Sequence, residues 1–327
     1  LKKEGILKIS LFGFQLIQRR DPMRVSHNQF FESPARQLEK ITERLWKLQR
    51  NISSGKEILT VSDDPCGAIE ALNYRDLISQ IKMYGKNIES ALSWLSYTES
   101  LLGQIEDILQ RAKEIALQQS SSTAGAQARD IAAHDVKEIF NQVLQIANSK
   151  LSDRYIFSGT KTNIAPFTDN NGDLDVDDGI IDRGYQGNTE SIILTISNTS
   201  NVTINCDGKS LFELSESSTI FSILRNLYMA LVNNDQEVIS EQMGLIDNAM
   251  DHVRGIRAEV GSRINILELE KEHIGDVKIN LTDLLSKVED LDMVKAITEL
   301  SNQQLLYQAA LQSTALISRM SLMDFLK

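Results

Sequence analysis

The sequence predicts a mainly α protein. It reads as a long helical rod bundle with coiled-coil segments at both ends of the chain and a small β-rich insertion in the middle. Three observations point there. Apolar residues recur at alternating steps of three and four along most of the chain, the spacing that keeps one seam of a helix facing a partner. Two of these stretches are long, and each would extend roughly 80 Å at the rise of an α-helix. Between residues 155 and 215 the pattern changes, with frequent Gly, Asn and Asp and alternating β-branched residues.

The first helix carries its seam on Leu38, Ile41, Leu45, Leu48 and Ile52, with Glu, Lys and Arg on its other faces. It should run for about twenty residues and stop at Ser53-Ser54-Gly55, where Gly supplies the C-terminal position. A short link follows, and Asp63-Asp64-Pro65 opens the second helix. Asp64 can accept from free backbone N–H groups, and Pro65 in the first helical position lacks one such group. Asp64 and Pro65 are therefore the expected cap and hinge. The second helix should span Pro65 to Gln119, with a seam from Tyr74 and Leu77 through Leu95, Leu102 and Leu109 to Ala116. Ser120 to Gly125 reads as a turn. A third helix follows with Ala132, Val136, Ile139, Val143 and Ile146 on one side.

Ser191 to Ile196 and Asn201 to Cys206 read as strands joined by a hairpin loop at Ser197 to Ser200. Asp207-Gly208 reads as another turn. Helical spacing returns at Ile220, with Leu224, Leu227 and Leu231 on one face. It breaks at Asn233-Asn234-Asp235 and resumes from about Glu237 to Glu289. Three cations, Arg257, Lys271 and Lys278, interrupt that last seam and are expected to reach past its rim into water.

The tail differs from everything before it. From Leu300 to Ser318 no residue is charged. One stripe follows coiled-coil steps through Met293, Ile297, Leu300, Gln304, Tyr307, Leu311 and Thr314, while Leu305, Leu306, Ala309, Ala310, Leu316 and Ile317 lie off it. A helix apolar on several faces must be covered on several sides. The run has the length of a membrane anchor, but four Gln with Ser, Asn and Thr make it too polar for one. The better expectation is a helix completed only by partners, one from this chain and the rest from other molecules. The terminal seam residues, Leu38 to Ile52 and Met293 to Leu311, are the candidate assembly interface.

The chain has 327 residues and a net charge of −11, with a pI near 5.0. An acidic chain without a basic patch argues against nucleic acid as a partner. The four His lie far apart, with no ligand spacing between them, and are expected to be ordinary helix or loop residues. Cys66 and Cys206 fall in segments of different character, so no disulfide between them is expected. Gly55-Lys56 is not a phosphate loop, because Arg50 and Glu57 stand where Gly and Ser or Thr are required. Asp173 to Asp177 is not a calcium loop, because its turn Gly is one place late and Gly184 stands where Glu is required. Neither a catalytic centre nor a cofactor site is expected. Trp46 and Trp94 are expected to be packing residues. Residues 1–22 read as an upstream extension with Met23 as the natural start, a signal peptide being the lesser alternative.

Several motifs now combine. Met23-Arg24-Val25-Ser26, Leu45 to Lys56 and Ser62-Asp63-Asp64-Pro65 resemble the amino end of the flagellin family. Phe157-Ser158-Gly159-Thr160-Lys161-Thr162, Arg257 to Arg263, Ile297 to Ser301, Gln308 to Leu311 and Leu322 to Leu326 resemble its later segments. The resemblance covers nearly all of 23–327. It implies terminal segments, 23–60 with 290–327, that assemble as an inner coiled-coil tube. It also implies a helical rod, 61–154 with 217–289, and a β-rich outer domain, 155–216. Flagellins proper usually read Asp-Asp-Ala-Ala-Gly where this chain has Asp63-Asp64-Pro65-Cys66-Gly67, and their variable middle is often larger. Both departures favour a structural adaptor joining hook to filament over a filament subunit. The family further implies unfolded export through the flagellar type III apparatus. The partners it implies are hook-associated protein 1, flagellin, an export chaperone and further copies in a ring. A secreted adhesin on a helical stalk is the alternative from another class.

Overall fold

The computed structural model describes residues 27–121, 125–168, 185–215 and 218–325, with the side chains of 27–34 and 317–325 left aside. Residues 1–26, including the extension and the Met23 motif, lie outside the described residues, as do the acidic turn 173–184 and Leu326.

Seven helices and six short strands follow one another among the described residues. They are α1 (His27–Ser54), α2 (Pro65–Gln119), α3 (Ala126–Ala147), β1 (Lys150–Leu151), β2 (Arg154–Tyr155), β3 (Ile193–Thr195), β4 (Asn201–Thr203), α4 (Gly208–Phe212), β5 (Glu213–Ser215), β6 (Ser218–Thr219), α5 (Ile220–Val232), α6 (Gln236–Glu289) and α7 (Met293–Phe325). Helices dominate and the strands form three antiparallel pairs, so the fold is mainly α with a few small hairpins. α1 is longer than the twenty residues expected, beginning at His27 and running through Pro34 ahead of its seam. The chain divides into two compact units, residues 1–68 with 289–327, and residues 69–288.

The second unit holds almost all of the core. On α2 the seam is buried from Ile88 through Leu95, Leu102 and Leu109 to Ala116, while Leu77 is exposed. Against it pack the expected faces of α3 and α5 and, from α6, Ile239, Ile246, Val253, Val260 and Leu267. Asn234 takes a left-handed backbone (φ 59°), and Asp235 caps α6 by accepting from the N–H groups of Glu237 and Val238.

One seam cation does not behave as the sequence suggested. Arg257 does not merely reach past the rim. Its guanidinium donates to Glu99 at 2.8 Å and to Glu106 at 3.1 Å, both on α2. Gly103 lies between those carboxylates in sequence, and a β-carbon there would sit 3.4 Å from the guanidinium carbon. Arg254 also binds Glu106, at 2.6 Å. Hydrogen bonding by Arg254, reinforced by Arg257, holds the Glu106 carboxyl below its usual range. Lys271 and Lys278 are exposed, as expected.

Among the described residues of the middle segment the strands are short hairpin pairs. β3 and β4 pair as predicted, with Leu194 opposite Val202. Asp207-Gly208 is not a hairpin turn. Asp207 is the N-cap of α4, its side chain accepting from the Ser210 N–H. Short polar side chains serve both roles, and here the following Leu211 and Phe212 bury as a helical turn. Phe140, Phe157, Phe167, Phe212 and Phe221 form a ring cluster with centroids 5.0–6.0 Å apart. The insertion thereby shares the core of α3, α5 and α6. Gly159 is left-handed (φ 66°), and a β-carbon there would meet the Asn188 carbonyl at 2.0 Å. Arg263 of α6 donates to the carbonyls of Thr203 and Asn205, tying the β3–β4 hairpin down.

Candidate assembly surface

The first unit is built on α1 packed against α7. Gly55 ends α1 in the left-handed conformation (φ 72°), its N–H bonding the Asn51 carbonyl at 2.8 Å. The turned chain then pairs with the segment before α7. The Glu57 N–H donates to the Glu289 carbonyl at 2.7 Å, and the Leu291 N–H to the Gly55 carbonyl at 3.0 Å. Lys56 pairs with the buried carboxylate of Glu289. Asn51 closes the corner by donating to the Glu57 carbonyl.

Asp63 is the second anchor, and sequence reasoning passed over it in favour of its neighbour. Lys47 and Arg50 of α1 each bind its carboxylate at 3.0 Å. The Thr60 N–H and hydroxyl bind it too. These bonds, that of Lys47 first, hold its carboxyl far below the usual range. Asp64 behaves as the expected cap, accepting from the Cys66 N–H at 3.1 Å, with Pro65 opening α2. Gly67 was also missed. A β-carbon there would collide with Ile58 at 2.5 Å and with the Asp64 carboxylate at 2.6 Å. The only signal in the sequence was their place in one motif, Asp63-Asp64-Pro65-Cys66-Gly67.

The predicted seams fare differently. On α1, Leu38, Ile41, Leu45, Leu48 and Ile52 are all half-buried. On α7, Leu300 and Tyr307 are half-buried too, but Met293, Ile297 and Leu311 are exposed. The covered stripe runs instead through Ala296, Leu300, Gln303, Tyr307, Ala310 and Thr314. It keeps steps of four and three and shares Leu300, Tyr307 and Thr314 with the expected stripe, but Ala296, Gln303 and Ala310 take the places of Ile297, Gln304 and Leu311. The covered side thus mixes small residues, Ala296 and Ala310, with the larger Leu300 and Tyr307, while Ile297 and Leu311 are exposed. In a helix apolar on most faces, spacing alone cannot choose the stripe. Leu305, Leu306 and Leu316 are exposed as well, so α7 presents large apolar side chains on several sides. Trp46, expected to pack, is 69% exposed.

Among the described residues no group of three His, Cys, Asp or Glu side chains could hold a metal ion. No described helix is long and apolar enough to cross a membrane. Both cysteines are free, and burial pushes the Cys206 thiol up to about 12.

The bacterial flagellin N-terminal helical region matches residues 25–162, and the bacterial flagellin C-terminal helical region matches residues 243–326. Together they span more than half of the chain. This chain belongs to the flagellin family. Flagellar hook-associated protein 3 of Escherichia coli (strain K12) is 25% identical over 328 residues, covering 93% of this chain and 100% of the relative. The Salmonella typhimurium protein of the same name is also 25% identical, covering 92% and 98%. Flagellin of Bacillus subtilis is 24% identical, covering 88% and 94%. The structure of a putative flagellar hook-associated protein from Vibrio parahaemolyticus superposes with a TM-score of 0.63 at 22% identity, covering 70% of this chain and 100% of that one. Hook-associated protein 3 of Legionella pneumophila gives 0.58 at 16%, covering 66% and 98%. Likeness at that level of identity shows a shared fold. In this flagellin-family chain the two matched regions contribute α1 and α7, the helices that pair in the first unit.

Proposed function

We propose that this chain is a non-enzymatic structural adaptor of the bacterial flagellum, joining hook to filament. The observation that carries the reading is the pairing of the two chain ends, α1 on α7, with a row of large apolar side chains on α7 left uncovered. Apolar surface of this kind is stabilised by burial against further molecules. End-to-end similarity to two hook-associated proteins supports the junction role over the filament subunit.

In this proposal the segments 23–60 and 290–327 assemble, with Leu38, Ile41, Leu45, Leu48, Ile52, Met293, Ile297, Leu300, Tyr307 and Leu311 on the interfaces. Asp64 and Pro65 mark the passage to a helical rod of 61–154 and 217–289, which carries 155–216 outermost. Copies associate in a ring, with hook-associated protein 1 on one side and flagellin on the other. An export chaperone covers the tail before secretion. Similarity to the Bacillus subtilis flagellin keeps the filament subunit as a second reading.

Purified protein offered to isolated hooks decides between them. An adaptor adds at the hook end in a limited number of copies and then permits flagellin to polymerise. Long filaments made of this chain alone would establish the filament subunit, and no addition at hook ends would overturn both readings.

A further inference from the structure

The exposed surface of α1 beside its contact with α7 is sorted by charge. Lys40 and Arg44, four residues apart, share one flank and line a groove with Leu306, Ala309 and Ser313 of α7. Glu39 and Glu43 precede them by one residue each. One step along an α-helix turns by about 100°, so the two glutamates share a second flank. All four side chains are exposed. Trp46, three residues after Glu43, lies on the acidic flank and is exposed too. Within each pair the like charges four residues apart repel. Lys47 and Arg50 differ, because Asp63 holds their charge. Lys40, Arg44, Glu39 and Glu43 make no ion pair among the described residues, and α7 has no charge from Leu300 to Ser318 to offer them.

We infer that copies of this chain meet side by side through these two flanks. Glu39 and Glu43 of one copy enter the α1–α7 groove of the next, against its Lys40 and Arg44. The inference rests on the adaptor reading above and names the contact that repeats within the assembly. A second copy fits better than another acidic molecule for a geometric reason. A repeated contact between two unlike surfaces closes a ring or winds a helix. In such an array neighbours stand nearly level along the common axis. The acidic pair is offset from the basic pair by a single residue, about 1.5 Å of rise. Level copies therefore bring opposite charges together at both positions, with Trp46 beside the apolar wall that Leu306 and Ala309 provide. Charge matching of this kind selects the partner and its register more than it adds affinity.

The test uses the full chain and its addition to isolated hook ends, counted by electron microscopy of labelled protein. Three variants are compared with the wild type: Glu39→Lys with Glu43→Lys, Lys40→Glu with Arg44→Glu, and all four substitutions in one chain. Each two-residue variant sets like charges against each other across every contact and should lower addition by at least about tenfold. The four-residue variant restores opposite charges at every contact and should recover addition to within about threefold of wild type. Recovery also shows that the substituted helix folds. Two-residue variants that add normally would overturn the inference while leaving the adaptor reading intact. A four-residue variant as defective as its halves would show that the flanks meet different molecules, which overturns it as well. Failure of the wild type to add would remove the adaptor reading and this contact with it.

Discussion

Leu311→Asp separates the surface of α7 from the core of the single chain, and Leu102→Ala is its matched control. Both leucines lie on seams that read alike in sequence, yet Leu102 is 0% exposed and Leu311 is 44% exposed. Full burial of a Leu side chain stabilises by about 1.5–3 kcal/mol, so the coverage at Leu311 is worth about 1–1.5 kcal/mol in the single chain. Truncating Leu102 loses its transfer free energy and leaves a cavity, together about 2–5 kcal/mol. In solution, Leu311→Asp should leave the circular dichroism and the main thermal transition nearly unchanged, and Leu102→Ala should lower that transition by several degrees. At the hook end the order reverses. A carboxylate at position 311 that becomes covered on assembly is an unpaired buried charge, strongly unfavourable and repeated in every copy. Leu311→Asp should therefore abolish incorporation, and cells carrying it should shed flagellin. Leu102→Ala, assayed below its transition, should still add. If Leu311→Asp joins the hook normally, the exposed row of α7 is not an assembly surface. If it unfolds as readily as Leu102→Ala, α7 belongs to the core of the single chain.

Three further outcomes are expected. Gly159→Ala forces a β-carbon against the Asn188 carbonyl in a left-handed backbone. It should cost clearly more in thermal unfolding than Gly55→Ala, which has the same backbone sign but open space and should lose only about 1–2 kcal/mol; equal losses would refute the close approach. Glu106 has a folded pKa depressed by Arg254 and Arg257. Its contribution is fully present above the unfolded value of about 4.3 and is lost as pH falls through the folded value. Thermal stability should thus fall from pH 5 downward, and Glu106→Gln should flatten that limb; an unchanged limb would show that other carboxylates set it. Asp64→Ala removes the cap of α2 and should cost about 1 kcal/mol with helicity retained, whereas a collapse of the circular dichroism signal would mean Asp64 does more than cap.

Local patterns carried most of the fold. The ends of α2 were legible because Asp64-Pro65 is a start signal and the Ser-rich stretch after Gln119 a stop, both acting within a few residues. The end of α1 at Gly55 was legible for the same reason. The β3–β4 hairpin followed from alternation and a short polar link. Asp207 misled because an Asp-Gly pair serves a turn and a helix cap equally well. The burial of Leu211 and Phe212, which decides between them, is set by distant aromatic rings.

The assembly surface divides in the same way. Periodicity in the sequence determined that α1 carries one seam, because its other faces are charged and only one stripe can be buried. It also showed that large apolar residues of α7 lie on more than one face, since Leu305, Leu306 and Leu316 fall off the seam. Which stripe of α7 is covered was settled only by tertiary packing, which covers Ala296 and Ala310 and leaves Met293, Ile297 and Leu311 exposed. The pairing of Arg257 with Glu99 and Glu106, and of Lys47 and Arg50 with Asp63, was likewise invisible in the chain. These partners lie far apart in sequence or across a turn, and opposite charges reveal no pairing until folding sets the distance between them.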